Sequence, residues 1–132
     1  MAAGHFNADT KIDLVVTYDY DGQSGAVQVF SGDGLGGFTS AGFSLSSFNA
    51  ALAVDDLNGD GNLDAVAVAG ESGSSGEAFL GNGAGGLFLA SSFYSTIYWL
   101  PALAVAVGDF TGSTLDGRHG CVVGCDGLEQ HA

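Results

Sequence analysis

The chain has 132 residues, room for one domain. Lys and Arg total 2 against 15 Asp and Glu, a formal charge of -13, which argues against nucleic acid or anionic lipid as a partner because both demand a basic face. The 46% apolar fraction, with 9 Phe and 4 Tyr, supplies a core and separates this chain from acidic disordered sequences, so the acid excess points to bound divalent cations and a solvated face.

The start, Met1-Ala2-Ala3-Gly4-His5-Phe6, has neither the basic residues nor the apolar stretch of a signal peptide. Export information is expected upstream, or the chain is a piece of something longer. Residues 4–13 carry polar groups at His5, Asn7, Asp9 and Asp13, and the run Leu14-Val15-Val16-Thr17 that follows reads as a strand. Tyr18-Asp19-Tyr20-Asp21-Gly22 reads as an exposed acidic turn. In Val29–Phe38, the triplet Gly32-Asp33-Gly34 is expected to supply the positive-φ residues of a hairpin turn.

Residues 55–64 are the most informative stretch. Oxygen-bearing side chains fall at Asp56, Asn58, Asp60 and Asp64, with Gly59 and Gly61 between them. A chain curled around a hard cation needs this pattern: alternate residues point inward and the glycines allow a tight turn. Calcium takes about six to eight oxygens and prefers carboxylates. The side chains of Asp56, Asn58, Asp60 and Asp64 and the carbonyl of Asn62 form the expected ligand set. An EF-hand begins the same way, but it needs a Glu at its twelfth position and a helix beyond. Here that position is Ala67, and Ala65-Val66-Ala67-Val68-Ala69-Gly70 reads as a strand. The alternative is a polar Asp, Asn and Gly hairpin without metal.

Residues 4–13 align with 55–64 without a gap, and a third copy opens at Gly108-Asp109-Phe110-Thr111-Gly112, one residue short before Leu115-Asp116. Val29–Phe38 likewise pairs with Phe79–Phe88, where Gly81-Asn82-Gly83 stands for Gly32-Asp33-Gly34. Each unit therefore runs strand, acidic loop, strand, variable loop, strand, glycine hairpin, strand. In the second unit the strands are expected near 50–55, 64–69, 77–81 and 87–93. A period of about fifty residues with four strands per unit is the pattern of a β-propeller blade. The expectation is an all-β chain of about two and a half blades of four antiparallel strands. The units span approximately 1–48, 49–100 and 101–132, the last incomplete. Propellers close with about four to eight blades, so this chain needs further blades or further copies to complete a ring.

The order Asp-Leu-Asn-Gly-Asp-Gly-Asn-Leu-Asp-Ala-Val, followed by Phe-Leu-Gly-Asn-Gly-Ala-Gly-Gly-Leu-Phe, resembles the FG-GAP/VCBS repeat family, which includes the integrin α-chain propeller. The resemblance covers roughly residues 4–116 and is most specific over 55–88. It implies that the acidic loop joins the first two strands of a blade and holds Ca2+ through Asp56, Asn58, Asp60, the Asn62 carbonyl and Asp64. It implies the same of His5, Asn7, Asp9, the Lys11 carbonyl and Asp13. His5 stands where Asp is expected, and imidazole suits a hard cation poorly, so this loop should bind more weakly. The third copy keeps Asp109, Thr111 and Asp116 but lacks the central Asp. The resemblance further implies an extracellular or cell-surface binding or adhesion module without catalytic residues. Its partner would be a protein or a carbohydrate, and self-association could complete the propeller. Membrane insertion is not expected, because no apolar run reaches the ~18–20 residues that span a bilayer.

Two other readings stay open. A lectin would hold sugars between blades, using the aromatic cluster Phe93, Tyr94, Tyr98 and Trp99, although packing between blades is the commoner use of such residues. A piece of a polysaccharide-degrading enzyme would need a general base, and a site for acidic sugars fits poorly with so few basic residues. Cys121 and Cys125 lack the second Cys pair of a common zinc site. A local disulfide or no role at all remains for them.

Overall fold

The run Asp64-Ala65-Val66-Ala67-Val68 is buried at every position, while Asp13–Asp19 is fully buried only at Asp13 and Val15. A strand covered on both faces cannot alternate apolar and polar residues, which accounts for the unbroken small and β-branched character of 64–68. In the computed structural model, residues 1–21, 24–46, 51–68, 75–94, 102–108, 120–125 and 128–131 are described. All regular structure among them is β.

Four strands form the first sheet: β1 (Ala2–Gly4), β2 (Asp13–Asp19), β3 (Gly25–Gly32) and β4 (Phe38–Ser46). The second contains β5 (Ala51–Asp55), β6 (Asp64–Val68), β7 (Ser75–Gly81) and β8 (Leu87–Tyr94). Both are antiparallel meanders in chain order. The third sheet holds β9 (Ala102–Gly108), β10 (Gly120–Cys125) and β11 (Leu128–His131), with β10 in the middle. The first two sheets repeat in register: Leu14 faces Phe30 as Ala65 faces Phe79, and a bulge follows Val29 as another follows Ala78. These are propeller blades, and among the described residues they form no closed ring. Strands expected near 64–69, 77–81 and 87–93 lie at 64–68, 75–81 and 87–94.

The core lies between the first two blades. Phe6, Val15, Val27 and Val29 from the first meet Ala65, Ala67, Phe79 and Leu87 from the second. Val68, with Ala51, Phe93 and Val105, begins the next such layer against β9. Phe93 thus serves packing between blades, while Tyr98 and Trp99 lie outside the described residues. Cys121 and Cys125 both lie on β10.

Two glycines depart from expectation. Gly32 and Gly81 are not the positive-φ residues of their hairpins; Gly34, Gly36, Gly83 and Gly85 are. Gly32 and Gly81 end β3 and β7, and a Cβ on either would sit 2.1 Å from a carbonyl oxygen, of Ile12 or of Leu63. Their requirement is close approach between strands, not backbone handedness.

Phe79 is wholly buried and Phe88 is 61% exposed. Phe79→Ala is expected to cost about 3–5 kcal/mol in urea unfolding, and Phe88→Ala less than about 0.5 kcal/mol.

Candidate metal centre

The second acidic loop joins β5 to β6. Gly59 and Gly61 take φ of 76° and 86°, and these left-handed turns curl the segment back on itself. Asp56 is the hub. Its Oδ1 accepts from the N–H of Gly59 (2.7 Å) and Asp60 (3.1 Å), and its Oδ2 from that of Gly61 (2.8 Å). Asn58 Oδ1 accepts from Asp60 N at 3.0 Å, and Asp60 Oδ1 from Asn62 N at 2.8 Å. Asn58 Nδ2 donates to Asp60 Oδ2 at 3.0 Å. The loop's own amides thus hold the oxygens of Asp56, Asn58 and Asp60 in an inward curl.

Asp64 closes the loop from below and has no exposed surface. Its Oδ2 accepts from Leu57 N at 2.7 Å and its Oδ1 from Gly81 N at 2.8 Å. One carboxylate therefore ties the loop's start to the end of β7. Burial pushes the Asp64 carboxyl above its ordinary value; the two N–H bonds oppose this, and the charges of Asp60 and Asp56 add to it. The exposed Asp60 is held below its ordinary value by the Asn62 N–H and the Asn58 amide.

The first loop repeats this geometry with changed chemistry. Asn7 Oδ1 accepts from Asp9 N (2.8 Å) and Asp9 Oδ1 from Lys11 N (2.9 Å). Asp13, also without exposed surface, accepts from Phe6 N (2.9 Å) and Gly32 N (3.0 Å). Asn7 Nδ2 lies 3.5 Å from Asp13 Oδ1 and donates to Ser31 Oγ at 3.2 Å. His5 cannot act as the Asp56-like hub. Its Nδ1 instead donates to the Lys11 carbonyl at 2.9 Å, so two of the five expected donors bind each other. Thr10, in the place of Gly61, is forced to φ 64°, costly for a β-branched residue. This loop is also clasped by the second blade: Gly85 N donates to the Phe6 carbonyl at 2.8 Å, and Asn7 bridges Ala84.

Among the described residues, no three His, Cys, Asp or Glu side chains converge as a ready-made metal cluster. The second loop could hold a hard cation only with Asn58 and the Asn62 carbonyl joining Asp56, Asp60 and Asp64. That all-oxygen set suits calcium, and each carboxylate oxygen keeps acceptor capacity beyond its N–H bonds. The mutual repulsion of the three carboxylates is what a divalent cation would relieve. Asp109, Thr111 and Asp116 of the third copy lie outside the described residues. The pairing of each buried Asp with a strand-ending glycine escaped the sequence reading, although the recurrence of Gly32 and Gly81 signals it.

The hairpins rest on one more repeated device. Asp33 Oδ1 accepts from Leu35 N and Gly37 N, as Asn82 Oδ1 does from Ala84 N and Gly86 N. These N–H groups, that of Leu35 foremost, hold the Asp33 carboxyl below its ordinary value. Such a depressed value adds stability above the unfolded-state pKa, lost as pH falls through the folded one. Asp33→Asn keeps the acceptor oxygen but loses the charge, and is therefore expected to lower stability slightly at neutral pH and to lessen its fall below about pH 4, read by denaturant midpoints across pH. At the strained position, Thr10→Gly should stabilise by about 1 kcal/mol, and Gly61→Thr should destabilise by a similar amount, both by urea unfolding.

No curated protein matches the chain. The model of the FG-GAP-like repeat matches residues 5–67, from the first acidic loop through most of β6. With the repeated blades and loops already in place, residues 5–67 belong to the FG-GAP-like repeat family.

Proposed function

We propose that this chain is a calcium-stabilised β-propeller module that binds a protein or carbohydrate partner outside the cell, without catalysing a reaction. The observation that carries the metal part is the second loop. The loop's own N–H groups hold the side-chain oxygens of Asp56, Asn58 and Asp60 in one curl above the buried Asp64. A cation bound there would link the loop to the ends of β5, β6 and β7 and offset part of the -13 charge. Such loops commonly serve in extracellular proteins, where calcium is abundant and dissociation constants of about 0.1–1 mM suffice. The first loop, closed by His5 and Lys11, is the weaker site. The adhesive role rests on family and architecture, with exposed loops at the blade ends as the contact surface. For the sugar-binding alternative, Phe93 packs against Val68 between blades, while Tyr98 and Trp99 lie outside the described residues.

Calorimetric titration of the chelator-stripped chain with calcium should show a principal site in the millimolar range or tighter. Asp60→Asn keeps an oxygen for the Asn62 N–H but removes a charge, and should abolish that site while leaving the circular dichroism unchanged. Calcium at tenfold excess over its dissociation constant should stabilise the wild type by about 1.4 kcal/mol. A folded chain that gives no heat, or an Asp60→Asn chain that titrates like wild type, would refute the assignment.

A further inference from the structure

Asparagine is a chemically labile side chain, most of all before glycine, where no Cβ shields the following amide nitrogen. The chain holds two such pairs, Asn58-Gly59 and Asn82-Gly83. The fold treats them differently.

Asn82 is exposed, in the hairpin between β7 and β8. Its Oδ1 accepts from Ala84 N and from Gly86 N, each at 2.9 Å. Two amides on one carbonyl oxygen draw electrons from Cγ, and they stand where negative charge collects when a nucleophile adds. The hairpin is braced: Asn82 N donates to the Gly86 carbonyl, Gly85 N donates to the Phe6 carbonyl, and Ala84 bridges Asn7. The donors therefore need little rearrangement to meet that charge. The nucleophile is the next nitrogen along the chain. Gly83 N has no acceptor among the described residues, and its φ of 68° suits a residue without Cβ.

At the other pair the same atoms are occupied. Gly59 N donates to Asp56 Oδ1 at 2.7 Å, a charge-assisted bond that it would have to give up before attacking. Asn58 Oδ1 accepts from one amide, that of Asp60, and Asn58 Nδ2 donates to the Asp60 carboxylate at 3.0 Å. An oxyanion forming beside Asp56 and Asp60 would be repelled.

We propose that Asn82 is a site of spontaneous deamidation, promoted by its own hairpin, while the fold spares Asn58. Gly83 N gives its proton to hydroxide or a buffer base and forms a bond to Asn82 Cγ. The carbonyl electron pair moves onto Oδ1, where the N–H groups of Ala84 and Gly86 meet it. As the pair returns, the Cγ–Nδ2 bond breaks, Nδ2 takes up a proton, and ammonia leaves. A cyclic succinimide remains. Water then opens this ring at Cγ to give aspartate, or at the backbone carbonyl to give isoaspartate. Nothing is oxidised or reduced.

The first blade shows that the aspartate product fits. Asp33 fills the equivalent position, and its Oδ1 accepts from Leu35 N and Gly37 N in the same way. Isoaspartate instead adds a methylene to the backbone and disturbs the Asn82–Gly86 pairing. Either product adds negative charge close to the acidic loop, because a Cβ on Gly83 would strike the Asn62 amide oxygen. The inference does not depend on metal binding.

The full chain, held in mildly alkaline buffer and followed by peptide mapping with tandem mass spectrometry, tests this. In the folded chain Asn82 should convert at least about tenfold faster than Asn58, with or without calcium. In concentrated urea, where both pairs lose their surroundings, the two rates should converge. Asn82→Asp, matched to Asp33, should remove the early release of ammonia and leave the circular dichroism unchanged. Equal rates at the two asparagines of the folded chain overturn the proposal. So does a preference for Asn82 that persists in urea, and so does a folded chain that converts neither.

Discussion

Two buried carboxylates organise everything around them. Asp13 and Asp64 each stand at the start of a blade's second strand and accept from the N–H of the loop's second residue and from the glycine that ends the third strand. A buried carboxylate is costly unless its oxygens are bonded, and each of these oxygens receives an N–H. The need for those bonds fixes the loop's entry, forbids a side chain at Gly32 and Gly81, and anchors the curl in which the other polar groups sit.

The two loops show what happens when a repeat keeps its backbone and changes its chemistry. Both preserve the ladder in which one side-chain oxygen after another accepts the N–H two residues on. The second loop adds Asp56, whose two oxygens collect three amides and whose charge acts on the buried Asp64. The first replaces that hub with His5, a donor to Lys11, and replaces a left-handed glycine with strained Thr10. One loop is shaped by an excess of negative charge, the other by a neutral hydrogen bond.

Much of the blade was legible because its signals are local and repeated. Acidic loop, apolar run and glycine hairpin recur in order, and strand pairing followed from that order. Less legible were features that depend on where the chain returns. Gly32 and Gly81 resemble turn glycines in sequence, yet their role is set by the carbonyls of Ile12 and Leu63 across the sheet. Asp64 looks like one more ligand, and only its burial against Gly81 marks it as a latch. The effect of His5 was half readable: poor affinity for a hard cation follows from imidazole chemistry, but its partner does not follow from spacing.

The clasp between the blades carries a consequence for how the chain comes to order. The Phe6 carbonyl finds its partner at Gly85, and Asn7 bridges Ala84. During synthesis from the amino terminus, the first loop waits for nearly the whole second blade to emerge before its outer side is bonded. The first blade is therefore finished by the second. Amide protection at Gly85, whose N–H donates to the Phe6 carbonyl, would report on the closing of this clasp.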